Sequence, residues 1–592
     1  MKGKHHNGLM FSKTMKFTER IKGQFTGLGD SFTRYPITAI LSITLMIILI
    51  IQNERNIDGI YETEMLRRLA MTAAIGMLAS ISLKHLQERF WQNKSSLIIV
   101  VPPTVLIMGL YYFFFTEEMT RINTVRFVGL ILTLIITIFY TLKLKENEDY
   151  EPYVIRIFYG FFITVLYSGV LYFGISAIIF TINALFDAEI DGKWFFYFFL
   201  MVTFIFGALM FLSKLPKKDE SYKEYTYSKA LKILLLYIVI PLITIYTGIL
   251  YVYFIKILVT QEWPRGLVSN LVLWYAVVSA AVIFFITPIL EENKVAQLFR
   301  IWFPRILLPI LPMMFVSIGK RIMQYGVTEN RYFVVLLGIW VLLIMIYFIA
   351  KKRLSNIFIP VSLSIFALVS ILGPLSAFSV SNFSQNQRFT ALLEKNDMLQ
   401  SGEIQPGTNV PEEDRRNISS IVNYFDVRDS SKIKYIDDDF KYEDFESVFG
   451  FKREDYYFNY PETNYIYLST EMDRTGIDIK GYDYLYTVNY NTETVSTDGI
   501  AIELKNATNL IVKLNEEVLM DEDLSDDIMT IVNENEDKME KAQIAYEDSI
   551  ILKENDRVSV KLIIRELSGR KSDESKLDYD YINCYVLLQV KN

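Results

Sequence analysis

The chain of 592 residues has one cysteine, Cys584, and only three histidines, His5, His6 and His85. A single cysteine excludes an intrachain disulfide, which for a domain outside the cell fits a bacterial surface protein better than a secreted eukaryotic one. With so few thiols and imidazoles, structural zinc has no ligand set and a histidine-based triad has no base. The sequence also lacks G-x-S-x-G, G-x-x-x-x-G-K and H-E-x-x-H, the patterns of a nucleophile elbow, a phosphate loop and a metalloprotease helix. From these absences no catalytic residue, no metal and no cofactor is expected. A cleavable signal peptide is not expected either, because a polar basic stretch of 35 residues precedes the first apolar run.

What is abundant is apolar, and it is unevenly placed. Hydrophobic residues make up 52% of the chain. Residues 1–380 read as repeated apolar blocks with a net charge near +13, whereas 381–592 read as a mixed polar chain near −20. Two physical environments are therefore expected. An acidic C-terminal region repels nucleic acid and anionic lipid surfaces, so no nucleic-acid partner is expected.

A membrane helix needs roughly 20 mostly apolar residues. Eleven candidates meet or approach this: 36–52, 69–83, 97–115, 125–142, 157–186, 194–212, 230–255, 267–290, 296–318, 333–350 and 357–379. The second is short and rich in small residues, which suits close helix packing. The long spans 157–186, with Gly160, Gly169 and Gly174, and 230–255, with Pro241, are expected to tilt or kink. The ninth is the weak one. Pro304, Pro309 and Pro312 oppose an unbroken helix there, and a re-entrant course would invert all later topology.

Loops 1–35, 84–94, 143–156, 213–232, 291–305 and 351–353 hold 25 Lys and Arg, against 11 in the alternating set. The bias predicts a cytoplasmic N-terminus and, after eleven spans, a C-terminal domain outside the cell membrane. The expected fold is an α-helical polytopic membrane bundle followed by an extracytoplasmic α+β domain. Its parts are a basic tail (1–35), a helical domain (36–379) and an acidic domain (380–592).

Within that last domain, 384–404 has apolar residues at helical spacing and Gly402 reads as its stop signal. Residues 412–427 form a second amphipathic helix with acids in the first turn. YDYLYTVNY, GIAIEL, NLIVKL, VSVKLII and YINCYVLLQV carry strand patterns. MDEDLSDDIM (520–529) is dense in carboxylates but lacks a calcium loop's central glycine, so Ser525 capping a helix accounts for it better. The run Asp437, Asp438, Asp439 reads as a solvated loop.

YPITAIL at the first span, FPRILLPILPMM followed by RIMQYGVTENRYF, and SQNQRFTALLEKNDMLQSGEI with ISSIVNYFDV resemble, in order and separation, the bacterial membrane proteins grouped as domain of unknown function 4153. The resemblance covers most of the chain. It implies a polytopic envelope protein of unknown activity and brings no catalytic residues with it.

Three classes of function remain. A non-enzymatic scaffold, sensor or partner-binding module of the envelope is favoured, with membrane lipids, envelope proteins or an anionic envelope ligand as partners. A transporter or permease-like carrier would need ionisable groups inside its spans, and the closest cases, Lys256, Glu291 and Glu292, lie at span ends. A glycosyltransferase-like enzyme using lipid-linked substrate would need an acid after the first span, where Asp58, Glu62 and Glu64 stand. The most singular connector is RIMQYGVTENRYF (321–333). Gly326 can end one helix in the left-handed conformation, and Thr328 can cap the next with Glu329 in its first turn. Alternatively Arg321, Tyr325, Glu329 and Arg331 form a charged patch that docks a domain or binds an anionic ligand.

Overall fold

A computed structural model describes residues 29–591 apart from 58–63, 93, 117–119, 147, 187, 189, 221, 223–225, 261–266, 352, 408, 427–432, 437–439, 442–443, 454–464, 471–475, 490–494, 498, 516, 536–542 and 574–575. The chain forms two units. One holds the residues up to Lys395 together with Tyr424–Asp439, and the other holds Asn396–Asn423 and Phe440–Asn592.

The first unit is all helix. In order come α1 (Pro36–Ile57), α2 (Glu64–Phe90), α3 (Ser96–Phe115), α4 (Arg121–Ile138) and α5 (Tyr150–Phe186). Next are α6 (Lys193–Met201) and α7 (Ala208–Lys214), joined by the π-turn Val202–Gly207, then α8 (Lys229–Ile233) and α9 (Ile240–Thr260), joined by the π-turn Leu234–Val239. The unit continues with α10 (Leu267–Ile286), α11 (Lys294–Leu307), α12 (Ile310–Tyr325), α13 (Glu329–Ala350), α14 (Phe358–Ile371) and α15 (Ala377–Lys395). Among the described residues ten helical segments are long and apolar enough to cross a membrane, and α14 is a shorter apolar helix.

The special residues act where the physics puts them. Gly160 does not bend α5, which runs unbroken; it lets Lys214 approach, since a Cβ there would lie 2.7 Å from that side chain. Pro241 is accommodated by the wide turn just before it, because a π-turn absorbs the missing N–H and the ring's clash. In the other π-turn the Phe204 carbonyl accepts a hydrogen bond from the Ser42 hydroxyl at 2.6 Å. The small-residue span α2 is packed as expected: Ala73, Ile75 and Ala79 are buried, and a side chain at Gly76 would collide with Met108.

The ninth span is broken, as its prolines require, and still runs the full length of the bundle. α12 meets α13 through the tight turn 326–328, while at the other end the Arg300 guanidinium donates to the Lys351 carbonyl at 2.9 Å. The stretch from Arg300 to Tyr325 therefore runs alongside the whole of α13, whose 22 residues measure about 33 Å at the α-helical rise, and does not turn back. The eleventh span ends earlier than its apolar run suggests. α14 stops at Ile371, Gly373 takes φ +78°, and Ser376 starts α15, its hydroxyl accepting from the Ser379 amide at 3.3 Å. Even so, α14 reaches from Asn356, bonded to Thr287 and Glu151, to the end where the Tyr332 hydroxyl donates to the Leu375 carbonyl.

Among the described residues, ten segments of membrane-spanning length and the shorter α14 thus run between two ends of the unit. At the first, which we call proximal, Arg34 pairs with Glu88 and donates to Leu215 and Pro216, Arg89 reaches Leu144 and Glu146, and Asn356 joins Thr287 and Glu151. At the distal end Lys193 and Tyr197 hold Glu54, Arg68 reaches Thr116, and Tyr332 reaches Leu375. Between the ends lies an apolar core in which Ile283, Leu307, Met314, Val341, Ile344 and Phe348 are all fully buried. Large apolar side chains on the outside, such as Phe162 and Phe173 of α5, are left uncovered, the surface expected of a helix facing lipid.

The second unit is α+β. A hairpin, β1 (Leu399–Gln400) with β2 (Glu403–Ile404), opens it, and Ser401 and Gly402 both have positive φ. Gly402 is therefore a hairpin residue, not the stop of α15, which already ends at Lys395; a two-residue turn of this kind demands positive φ at both central positions. The helices α16 (Glu412–Asp426), α17 (Phe445–Phe449) and α18 (Ser525–Glu534) accompany two sheets. One sheet has the order β4-β12-β11-β3-β9, with β10 also pairing β11; the other is the antiparallel meander β5-β6-β7-β8. The strands are β3 (Tyr465–Thr470), β4 (Tyr484–Asn489), β5 (Val495–Thr497), β6 (Ile500–Lys505), β7 (Asn509–Leu514), β8 (Glu517–Asp523), β9 (Gln543–Ile544), β10 (Ile550–Glu554), β11 (Val558–Asp573) and β12 (Lys576–Val590). The alternation of Val558, Val560, Leu562 and Ile564 buries all four, and Cys584 faces the same core from β12. In β4 Tyr486 and Val488 are buried, but Tyr482 precedes the strand and Tyr490 lies outside the described residues.

Candidate functional site at the distal end of the bundle

The turn between α12 and α13 is built by its backbone. Gly326 has φ +71° and ψ 178° and donates its N–H to the Ile322 carbonyl at 2.8 Å. This is an extended positive-φ conformation reserved for glycine rather than the left-handed helical one expected. Thr328 occupies the cap position of α13 with extended backbone, yet its side chain makes no cap hydrogen bond. The turn is instead held from outside, by α15. Gln385 Nε2 donates to the Tyr325 and Val327 carbonyls at 3.0 and 2.9 Å, and the Val327 amide donates to Ser384 Oγ at 2.9 Å.

The charged residues of this stretch separate into different tasks. Arg331 folds back over the turn: its guanidinium donates to the Gly326 carbonyl at 2.8 Å and the Tyr325 carbonyl at 3.2 Å, and lies 5.5 Å from the Tyr325 ring centre. Glu329 accepts from the Tyr424 hydroxyl at 2.9 Å. Arg321, one turn before the end of α12, lines an open cavity of about 470 Å³ with Arg331, Thr328, Asn330 and, from α10, Ser269 and Asn270. Arg321 and Arg331 therefore share one wall while Glu329 is engaged with Tyr424. Among the described residues lining the cavity there is no carboxylate. The expected patch is two guanidiniums and a set of neutral polar groups.

Of the other candidates, Asp58, Glu62 and the run Asp437 to Asp439 lie outside the described residues. Glu64 is exposed in the first turn of α2, 3.5 Å from Arg67. Lys256, Glu291 and Glu292 are exposed. In the MDEDLSDDIM segment Ser525 is not the cap: it is the first residue of α18, and its amide and hydroxyl donate to the Asp523 carboxylate. Those two bonds hold the Asp523 pKa below the usual aspartate value. Asp526 and Asp527 occupy the first turn as expected, and Asp527 pairs with Lys553 at 2.7 Å. Among the described residues no three His, Cys, Asp or Glu side chains gather as metal ligands would.

Two constellations escaped the sequence reading. The acid paired after the first span is Glu54, which accepts from Tyr197 at 2.6 Å and Lys193 at 3.2 Å; the spacing of Lys193 and Tyr197, four apart on one helix face, was the available signal. At the proximal end His85 is fully buried and hydrogen-bonded to the Tyr35 hydroxyl at 3.0 Å, beside the half-buried fork of Arg34 on Glu88. The cluster joins Arg34 and Tyr35, just before α1, to His85 and Glu88, one turn apart on α2, and only the packing of these two segments brings the pairs together.

Helices of membrane-spanning length, an apolar outer surface and a C-terminal β-rich unit define a multi-pass integral membrane protein with a C-terminal α+β region. The family described as Domain of unknown function (DUF4153) matches residues 37–404, more than half of the chain, and the chain belongs to it. The matched range takes in every pass of the bundle, the distal turn and α15, and ends with the β1–β2 hairpin. Comparison with curated proteins and with solved structures finds no match in either.

Proposed function

We propose that this protein resides in the bacterial cell membrane with its N-terminus in the cytoplasm. There it holds the acidic α+β unit on the outer face as a partner-binding, sensing or scaffolding module of the envelope. The observation that carries the reading is the pairing of the loops. The described parts of the six segments that hold most of the lysine and arginine come together at the proximal end, through Arg34, Arg89, Asn356 and Arg300. Positive charge of that kind stays on the cytoplasmic side, and eleven passes then bring the chain out at the distal end. There the last helix of the bundle, α15, is pinned by Gln385 and Ser384 to the turn it crosses, a firm anchor for the α+β unit that continues the chain.

Because Cys584 is fully buried, single cysteines can be read against a silent background. In intact cells a membrane-impermeant maleimide should label Asn330→Cys and Leu552→Cys directly and Lys218→Cys only after permeabilisation. The reverse pattern would invert the topology. A photo-crosslinker at Leu552 or Val518, both exposed on the second unit, should then give a recurrent adduct with one envelope component. Adducts only with abundant bystanders at both positions would remove the binding role.

A further inference from the structure

We infer that the distal cavity between α10, α12 and α13 binds the phosphate of an anionic phospholipid headgroup. Three independent features support this. First, Arg321 lines the cavity and makes no hydrogen bond or ion pair among the described residues, so its guanidinium has donors to spare in a fork that matches a phosphate. Second, Ser269 borders the same cavity, is only 1% exposed, and its hydroxyl has no hydrogen-bond partner among the described residues. A buried hydroxyl left without a partner is costly, and a phosphate oxygen in the cavity supplies the acceptor. Third, Arg331 is already fixed by the Gly326 and Tyr325 carbonyls and adds a second positive charge that needs no ordering when a ligand binds. The start of α13, where Thr328 leaves its side chain out of the cap, adds the positive end of a 22-residue helix.

The lining also speaks for a lipid over a free anion. The lining also includes Leu273, Trp274 and Phe333, and Trp274 is 62% exposed. An aromatic girdle under a cationic rim is the arrangement that receives a headgroup above its acyl chains. That no described residue of the lining is a carboxylate favours an anionic lipid over a zwitterionic one.

Native mass spectrometry of the full chain, delipidated in detergent and titrated with phosphatidylglycerol, phosphatidylcholine or inorganic phosphate, tests this. One phosphatidylglycerol should bind with clear preference over phosphatidylcholine. Arg321→Gln should weaken it about tenfold, the loss of one charge-assisted pair, and Ser269→Ala severalfold. Arg321→Lys should fall between, and Lys217→Gln at the proximal end should leave it unchanged. If Arg321→Gln disturbs folding, Ser269→Ala and Arg321→Lys still read the site. Equal binding of the two lipids, no effect of the cavity variants, or an equal effect of Lys217→Gln would overturn the proposal. Saturation by inorganic phosphate alone would overturn the lipid assignment.

Discussion

Replacing Gly326 by alanine tests how the distal turn is held. Two costs are separable. The backbone at φ +71°, ψ 178° is about 1–3 kcal/mol unfavourable for any residue with a Cβ. The new methyl would also lie 2.8 Å from Gln385 Nε2, displacing an amide that donates to two carbonyls, a loss of about 1–2 kcal/mol. Gly326→Ala should therefore destabilise the turn by about 2–5 kcal/mol, which is roughly 30- to 5000-fold more local opening. Hydrogen exchange of the full chain in nanodiscs reads this directly, because the Gly326 and Val327 amides donate to Ile322 and Ser384. Gln385→Ala alone should cost about 1–2 kcal/mol. The double variant should cost less than the sum by that same amount, since the bonds can be lost only once. Strict additivity, or exchange within twofold of the parent in Gly326→Ala, would refute the account of Gln385 as the clamp.

Other variants probe the rest of the molecule. Arg34→Ala leaves Glu88, only 15% exposed, without its fork and the Leu215 and Pro216 carbonyls without a donor. A loss of about 2–4 kcal/mol is expected, seen as a lower thermal midpoint and proteolysis between residues 215 and 220, with Arg34→Lys only partly restoring it. Burial pushes the Cys584 thiol well up, so it should resist maleimide in the native chain at pH 8 and react fully in denaturant; fast native labelling would contradict the packing of β12. For Asp523, whose pKa is lowered by the Ser525 hydroxyl and amide, stability is present above the unfolded aspartate pKa of about 3.9 and lost as pH falls through the lower folded value. Asp523→Asn should flatten that acid limb in pH-dependent unfolding of the full chain, and an unchanged acid limb would assign it to other carboxylates.

How much was legible followed the range of the interaction. Span existence, the proline break near residue 309, the existence of strands β6 and β7 and the inward face of β11 depend on local apolar spacing, so they could be read directly. Gly402 misled because a glycine after a helical pattern fits either a helix stop or a hairpin turn, and only pairing of Leu399 with Ile404 decides. Thr328 and Ser525 had the right chemistry for caps, but Gln385 and Asp523 provide the side-chain hydrogen bonds that hold those turns. The candidate pair Arg321 and Arg331 was visible as cations out of place, while Ser269 and Asn270, some 50 residues earlier, carried no sign of belonging with them.

By itself, then, the sequence determined that this chain enters a membrane repeatedly and ends in an acidic α+β region, because transfer of apolar helices into hydrocarbon is a sum over neighbours in the chain. Tertiary structure alone decided that α11 and α12 cross rather than turn back, and that Gln385 clamps the distal turn. It also decided that Arg321, Arg331 and Ser269 face one cavity. These are contacts between residues far apart in the chain, fixed only when helices pack.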